Sequence, residues 1–306
     1  MSSINTNASA MNALSTLRGI NKQLEETQGR ISTGLKVESA KDNASYFQIS
    51  ETMSGDSSMY KAINEGLTLT KNSIATARLG AESFQDLSQQ FQERVAFAQG
   101  AKGGYQEVED ELNELIKEME TTITQSTFNG DDMVNAANAD TIAASTIDGT
   151  TGVVTPTATT TSTRNVVTGV SRASGSLEVT TTAVDTVDLA STLADFKAIA
   201  TGFAANAEAA TGETFLSGAL KSAEAALSLA TDSATALGLA EATIEGQQEF
   251  LTAVADNIDS GVGAMIDADM EEEAARLQAL QVQQQLATQS LSIANSAPQN
   301  ILSLFQ

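Results

Sequence analysis

The chain has 306 residues, with 39 acidic and 16 basic side chains and a formal net charge of −23. Phosphate binding needs clustered Lys and Arg, so this balance argues against nucleic acid as a partner, and strong acidity favours a soluble chain that resists casual association. There is no Cys and no His, which removes disulfides, thiol chemistry, thiolate metal sites and the commonest metal ligand and general base.

An enzyme built on this sequence would have to work with carboxylates, and no catalytic group, cofactor site or metal site is read from it. Trp is absent and aromatics make up 4% of the chain, a composition that suits long helices built on Leu, Ala and Ile. The start of the chain has no basic region followed by an apolar run, so it does not read as a secretory signal. No segment reaches eighteen apolar residues, and no membrane insertion is expected.

In chain order, a first helix is predicted from about Asn7 to Thr33, stopped at Gly34 by a left-handed cap. Its narrow apolar stripe is Leu14, Leu17, Ile20, Leu24 and Ile31. Ser39-Ala40-Lys41-Asp42 has the form of a capping box. A second, very long helix is marked from Ile49 through Met53, Met59, Ile63, Leu67, Ile74, Leu79, Phe84, Leu87 and Phe91 to about Gln99, where Gly100, Gly103 and Gly104 break it. A third runs from Glu107 to about Gln125 with Val108, Leu112, Leu115, Ile116 and Met119 on its apolar face.

Composition shifts over residues 129–190, which are rich in Thr, Asp, Gly and Ala. Arg164–Val170 and Leu177–Val184 read as strands joined at Ser174-Gly175. Helical patterning returns from Leu193 to about Ala210, Phe215 to Leu237 and Ile244 to Ile258, with Gly261 and Gly263 as a joint before the last helix. That last stretch, Leu277–Gln306, carries no charged side chain. Leu277, Leu280, Ala287, Leu291, Ala294, Ile301 and Phe305 form one stripe at spacings of three and four, with Gln284 and Pro298 filling the series, as in a coiled-coil seam.

The expected fold is mostly α, an elongated bundle of long helices from both chain ends with a smaller β-containing domain from the middle. The domains are set at 1–37 with 264–306 (a terminal coiled-coil pair), 38–130 with 200–263 (a helical domain, which the resemblance given below implies to be a shell) and 131–199 (a domain with a β-hairpin, by the same resemblance an outer one). The expected polymerisation interface is Leu14, Leu17, Ile20, Leu24, Ile31, Leu277, Leu280, Leu291, Ile301 and Phe305. An isolated helix with a single seam is marginal in water, so both ends are expected to order on assembly.

Both ends resemble bacterial flagellin. The resemblance rests at the front on Asn12-Ala13-Leu14, Ile31-Ser32-Thr33-Gly34-Leu35 and Ser39 through Ala44. At the back it rests on Ile266-Asp267-Ala268-Asp269-Met270 with Glu273, and on Ala294 through Leu304. Ser126-Thr127-Phe128-Asn129-Gly130 is similar to the family's join between helical and β parts. The resemblance implies a homopolymer: a tubular, extracellular flagellar filament for swimming, with the terminal helices innermost and the middle facing outward. It also implies export through the flagellum's own channel and three further partners, an export chaperone, a cap protein and junction proteins. A hook–filament junction protein has related ends and is the alternative; a secreted type III effector is a more distant one. Residues 91–100 depart from the Arg-rich run of many flagellins, as in those of alphaproteobacteria, which this chain resembles more.

The acids Asp267, Asp269 and Glu271–Glu273 lack the Gly and Glu spacing of a calcium loop and read as a favourable helix N-terminus, with Glu272 and Arg276 as an ion pair. The Thr-rich stretch 141–182 reads as an exposed β-surface. Met53, Met59, Met119, Met265 and Met270 are read as packing residues.

Overall fold

The computed structural model describes residues 7–135, 144–156, 161–172 and 176–302, the last six of these by their backbone alone. It divides into two compact units, Met1–Ser58 with Val254–Gln306, and Met59–Ala253.

The first unit holds α1 (Ala8–Thr33), the start of α2 (Ala44–Gly100), the end of α6 (Gly212–Ile266) and α7 (Met270–Leu302). Asn7 caps α1 by accepting from Ala10 N at 3.0 Å. Gly34, at φ 74°, ends it with its N–H on Arg30 O. The chain then forms a short clasp: Leu35 bridges Asp267, Lys36 N donates to Ile266 O at 2.6 Å, and Ala268 N donates to Gly34 O at 2.8 Å. The exit of α1 is thereby tied to the joint between α6 and α7.

The predicted capping box at Ser39–Asp42 turns out to be a turn ahead of the helix. Asp42 Oδ2 accepts from Ser39 N and Ser39 Oγ, which hold its carboxyl below the usual range, while Asn43 Oδ1 caps α2 through Ser45 N and Tyr46 N. A box at Ser39 would serve the amides of Lys41 and Asp42, but the helix starts only at Ala44, so the amides that need a cap lie two and three residues after Asn43. Gly261 and Gly263 do not form a joint either. Helix α6 continues through both to Ile266, and the break falls at Asp267–Asp269. A helical Gly costs only about 1 kcal/mol, which packing along a long helix overrides. Packing is close here, since a Cβ on Gly261 would meet Met53 Cε at 3.5 Å.

The second unit contains the rest of α2 and α6 with α3 (Tyr105–Gln125), α4 (Leu189–Ala200), α5 (Phe203–Glu208) and three two-stranded antiparallel sheets. Thr201-Gly202 splits what the sequence reads as a single helix, Gly202 standing at φ 65° ahead of α5. Strands β1 (Thr127–Phe128) and β2 (Asp131–Asp132) join through Asn129 and Gly130, both at positive φ, as a tight hairpin requires. Strands β5 (Thr163–Ser171) and β6 (Glu178–Asp185) match the predicted runs, with an irregular register between Val167 and Gly169. Their turn at Ser174-Gly175 lies outside the described residues. The hairpin is held by Tyr60 Oη, which donates to Val170 O at 2.9 Å, and by Gln247 Nε2, which donates to Thr168 O at 2.8 Å.

The remaining hairpin, β3 (Thr146–Ile147) with β4 (Val154–Thr155), lies directly on the backbone of α6. A Cβ on Gly152 would stand 1.9 Å from Phe215 O, and one on Gly218 would stand 1.8 Å from Thr151 O. Only paired glycines allow that approach. Ser222 then bridges the two elements, donating to Gly152 O and accepting from Val154 N, each at 3.1 Å.

Helices α2 and α6 run antiparallel, with Leu67, Ile74, Phe84 and Phe91 facing the alanines 219, 223, 226 and 230 and Leu237, Ile244 and Leu251 in one buried cluster. At heptad spacing along α2, Asn64 reaches Thr252, Lys71 reaches Glu245 and Arg78 reaches Glu241. These polar rungs mark one register of the pair. Phe196 of α4 completes the core edge-on between Phe84 and Phe91, at centroid distances of 6.1 and 4.8 Å. Among the described residues, no helix is long and apolar enough to cross a membrane.

Two outcomes test this core. Phe196→Ala removes a fully buried ring from an aromatic cluster and is expected to cost about 3–5 kcal/mol, read from the urea midpoint. Phe97→Ala, at an exposed position, should cost within about 0.5 kcal/mol. The second concerns Asp195, whose carboxyl burial pushes above its ordinary value, partly offset by the hydrogen bond from Ser145 Oγ. A carboxyl raised in the folded state contributes stability below the unfolded value, and that contribution is lost as pH rises through the folded one. Asp195→Asn, neutral at any pH and still able to accept from Ser145, should therefore be more stable than the natural chain at neutral pH. It should lose that advantage near pH 3. Equal stability at neutral pH would contradict the assignment.

Candidate functional site

Helices α1 and α7 pair antiparallel along one seam, and the seam residues repeat at three and four. On α1 the repeat runs through the less exposed Ala10, Ala13, Leu17, Ile20, Leu24, Thr27 and Ile31, with Gly29 and Arg30 also partly covered; on α7 it runs through Glu273, Leu277, Leu280, Gln284, Ala287, Leu291 and Ala294. This is the core spacing of a coiled coil, with the ridge of each helix entering the other. Leu280 is the most deeply buried hydrophobic residue of the pair, at 4% exposure.

Polar contacts hold the register along the seam. Asn7 Nδ2 donates to Ala294 O at 2.8 Å, Gln284 Nε2 to Asn21 Oδ1 at 2.7 Å, and Arg30 Nη1 to Glu273 Oε1 at 3.0 Å. Glu273 is 5% exposed, and its Oε1 also accepts from Arg276 Nη1 at 3.2 Å. Its Oε2 is buried without a donor among the described residues. Arg276 reaches the outer Glu272 as well, at 2.8 Å, the ion pair expected from their spacing. Asp269 caps α7 by accepting from Glu271 N and Glu272 N, so the acidic cluster forms a helix N-terminus, where acids complement the dipole. No group of three or more carboxylates suited to a metal occurs among the described residues.

The expected interface residues are distributed as follows. Leu17, Ile20, Leu24, Ile31, Leu277, Leu280 and Leu291 all lie in the α1–α7 seam. Leu14 does not: it is 37% exposed, and Ala13 takes the seam position beside it. Ile301 belongs to α7, but its side chain lies outside the description, and Phe305 lies outside the described residues. Met270 is exposed and does not pack in the way its apolar character implies.

Hydrophobicity alone selects Leu14, whereas the strict repeat selects Ala13. The same repeat, extended without regard to polarity, reaches Thr27 and Glu273. That extension is the signal by which both could have been found.

Two long helices paired on a coiled-coil seam, uncharged except for the Arg30–Glu273 pair at one end, define the class as a protein of long paired helices. The model of the bacterial flagellin N-terminal helical region matches residues 4–139, and that of the C-terminal helical region matches residues 220–305. The chain is 36% identical to a flagellin of Brucella melitensis biotype 1 and 34% identical to flagellin C of Rhizobium meliloti strain 1021, over the whole of each chain. It is 29% identical to flagellin FljK of Caulobacter vibrioides, covering all of this chain and 99% of that one. The chain belongs to the bacterial flagellin family and is a structural subunit of the extracellular flagellar filament.

The geometry makes a test of the buried carboxylate available. Arg30→Ala leaves Glu273 with Arg276 alone. Because both arginines are partly exposed, solvent screens the pair, and the expected loss is about 1 kcal/mol, near the top of the range for exposed pairs. Hydrogen exchange should accelerate about fivefold in α1 and α7 and stay unchanged in α3 and α4. Uniform acceleration across both units would show that the ion pair is not local to the seam.

Proposed function

We propose that the α1–α7 pair is the element through which the subunit polymerises, with Leu17, Ile20, Leu24, Ile31, Leu277, Leu280 and Leu291 ordering the two helices into one rod. Leu14 stays on its surface, and Ile301 and Phe305 extend the series toward the chain end. The observation that carries this is a seam of uncharged residues continuing far beyond Arg276, where stacked copies would otherwise crowd like charges. Burying an unpaired charge is expensive, so only a charge-free helix can be repeated at close spacing.

In the same reading the domains order radially. Residues 1–37 and 264–306 lie innermost, residues 38–130 and 200–263 form the next shell, and residues 131–199 lie outermost. An export chaperone, a cap protein and junction proteins are the remaining partners, as the flagellin family implies, and the chain's role is mechanical, not enzymatic.

The test is Leu291→Lys. It places an ammonium on the half-buried seam and forfeits apolar packing worth about 2 kcal/mol or more. Seeded with filament fragments, the variant is expected to yield no polymer, while urea unfolding of the second unit is unchanged. Polymer yield equal to the natural chain's would overturn the assignment of the terminal pair.

A further inference from the structure

Asn129-Gly130 is the one Asn-Gly step in the chain, and it forms the whole loop of the β1–β2 hairpin. A glycine after an asparagine leaves the next main-chain nitrogen without a side chain to shield it. Asn129 stands at φ 51°, a left-handed conformation that few L residues adopt, and Gly130 at φ 79°. Both residues are exposed. Among the described residues the Asn129 carboxamide has no hydrogen-bond partner, whereas the side chains of Asn7, Asn43 and Asn64 are engaged. Only two residue pairs close the hairpin, Thr127 with Asp132 and Phe128 with Asp131. So short a ribbon is marginal in water by itself.

We propose that Asn129 is a site of spontaneous modification, at which the side chain cyclises onto the Gly130 nitrogen and deamidates whenever the β1–β2 hairpin opens. In the first step Gly130 N bonds to Asn129 Cγ while the Cγ–Nδ2 bond breaks. The nitrogen leaves as ammonia, carrying the proton that the Gly130 amide gives up. Water then opens the five-membered imide. Cleavage of the new bond leaves an aspartate; cleavage of the original peptide bond leaves an isoaspartate, whose main chain is longer by a methylene. Water is the only co-reactant, and holding both reacting atoms in one dipeptide supplies the effective concentration. The ring locks the main chain of residue 129 at an angle that the left-handed turn does not use, so the hairpin has to open first. Asp131 resists that opening, because its carboxylate accepts from Ser73 Oγ at 2.7 Å and pairs with Arg164. The product sets a further carboxylate beside Asp131 and Asp132, and isoaspartate lengthens a loop that fits only a tight turn. In an extracellular chain the altered turn accumulates with time as an intrinsic mark of age.

The chain's one Asp-Gly step, Asp148-Gly149, could form the same imide by losing water, and the structure sets it apart. Asp148 Oδ1 accepts from Thr150 N at 2.8 Å and from Thr151 N at 3.1 Å, which holds its carboxyl ionised, below the usual range. An ionised carboxylate is a poor electrophile. Gly149 is also hemmed in by Asn206, whose Oδ1 would stand 2.8 Å from a Cβ there.

The test ages the folded natural chain, without seeds, in warm and mildly alkaline buffer. Mass spectrometry scores each peptide for exchange of NH2 for OH, and methylation by an isoaspartate methyltransferase counts the isoaspartate. Residue 129 is expected to convert first, with Asp148 and the other asparagines unchanged over the same interval. Ser73→Ala, which leaves Asp131 with Arg164 alone, should raise the rate at residue 129 about fivefold, the extra opening that loss of one hydrogen bond allows. Circular dichroism should show the helices of this variant intact. Arg164→Gln, at an exposed strand position, reads the same tie by a second route and should also speed conversion. A folded chain that stays intact at residue 129, while the chain unfolded in urea converts there, would overturn the proposal. Earlier conversion at Asp148 or at a helical asparagine would do the same, as would a rate unchanged by both variants. None of these outcomes bears on polymerisation, so the filament reading stands or falls separately.

Discussion

The pairing of α1 with α7 is the constraint on which the rest of the chain depends. Arg30 and Glu273 meet across 243 positions of sequence, and the intervening chain has to leave the pair and return to it. The entropy cost of closing so long a loop grows only logarithmically with length, so the separation itself is tolerable. Within the same unit the start of α2 and the end of α6 adjoin the pair. The clasp between Gly34–Lys36 and Ile266–Ala268 then fixes where the outward and returning helices enter the pair.

Neither long pair relies on apolar packing alone. Apolar stripes at heptad spacing allow a slip by one repeat, because the same kind of side chain recurs. Polar rungs do not recur with the same partners. In the second unit Lys71 meets Glu245, and a shift of seven would offer it Gly238 or Thr252 instead. In the first unit Ser57 donates to Asp259 Oδ1 at 2.6 Å, a contact of the same kind. Exposed pairs of this type add little stability. Their value lies in the penalty they place on the wrong register, as single polar positions do in coiled coils. The glycine contacts of Gly152 and Gly218 act similarly for the β3–β4 hairpin, since any displacement along α6 would bring a Cβ against backbone.

Much of this was legible in the sequence. The length and apolar faces of α1, the course of α2, the α3 core and the paired β5–β6 runs all follow from periodicity and from turn residues. The same signals failed where two rules competed. Gly261 and Gly263 looked like breaks because propensity disfavours helical glycine, but long-range packing outweighs about 1 kcal/mol at each. Asn43, and not Ser39, is the cap because α2 starts at Ala44, which puts the free amides of Ser45 and Tyr46 within reach of Asn43 only. Leu14 and Ala13 were confused because hydrophobicity and periodicity disagree there, and in a narrow seam periodicity wins. The inward position of Glu273 was least accessible, since it depends on arginines from two places in the chain, one of them on another helix.

The distribution of charge fits these two kinds of contact. The acidic surplus lies between Glu38 and Glu273, and its repulsion acts over a Debye length of about 8 Å at physiological ionic strength. It keeps free subunits apart without placing any charge on Leu277–Gln306. An uncharged helix with exposed apolar side chains would be an aggregation hazard by itself. In α7 those side chains are separated by Gln, Ser, Thr and Asn, which stay hydrated in the subunit and form neutral hydrogen bonds when covered, as Gln284 does with Asn21. Amides are cheaper to desolvate than ions, so such a helix can be soluble when free and close-packed when stacked. Replacing those amides by charged residues would improve solubility at the expense of stacking, and replacing them by leucine would do the reverse. The composition of Leu277–Gln306 sits between those two failures.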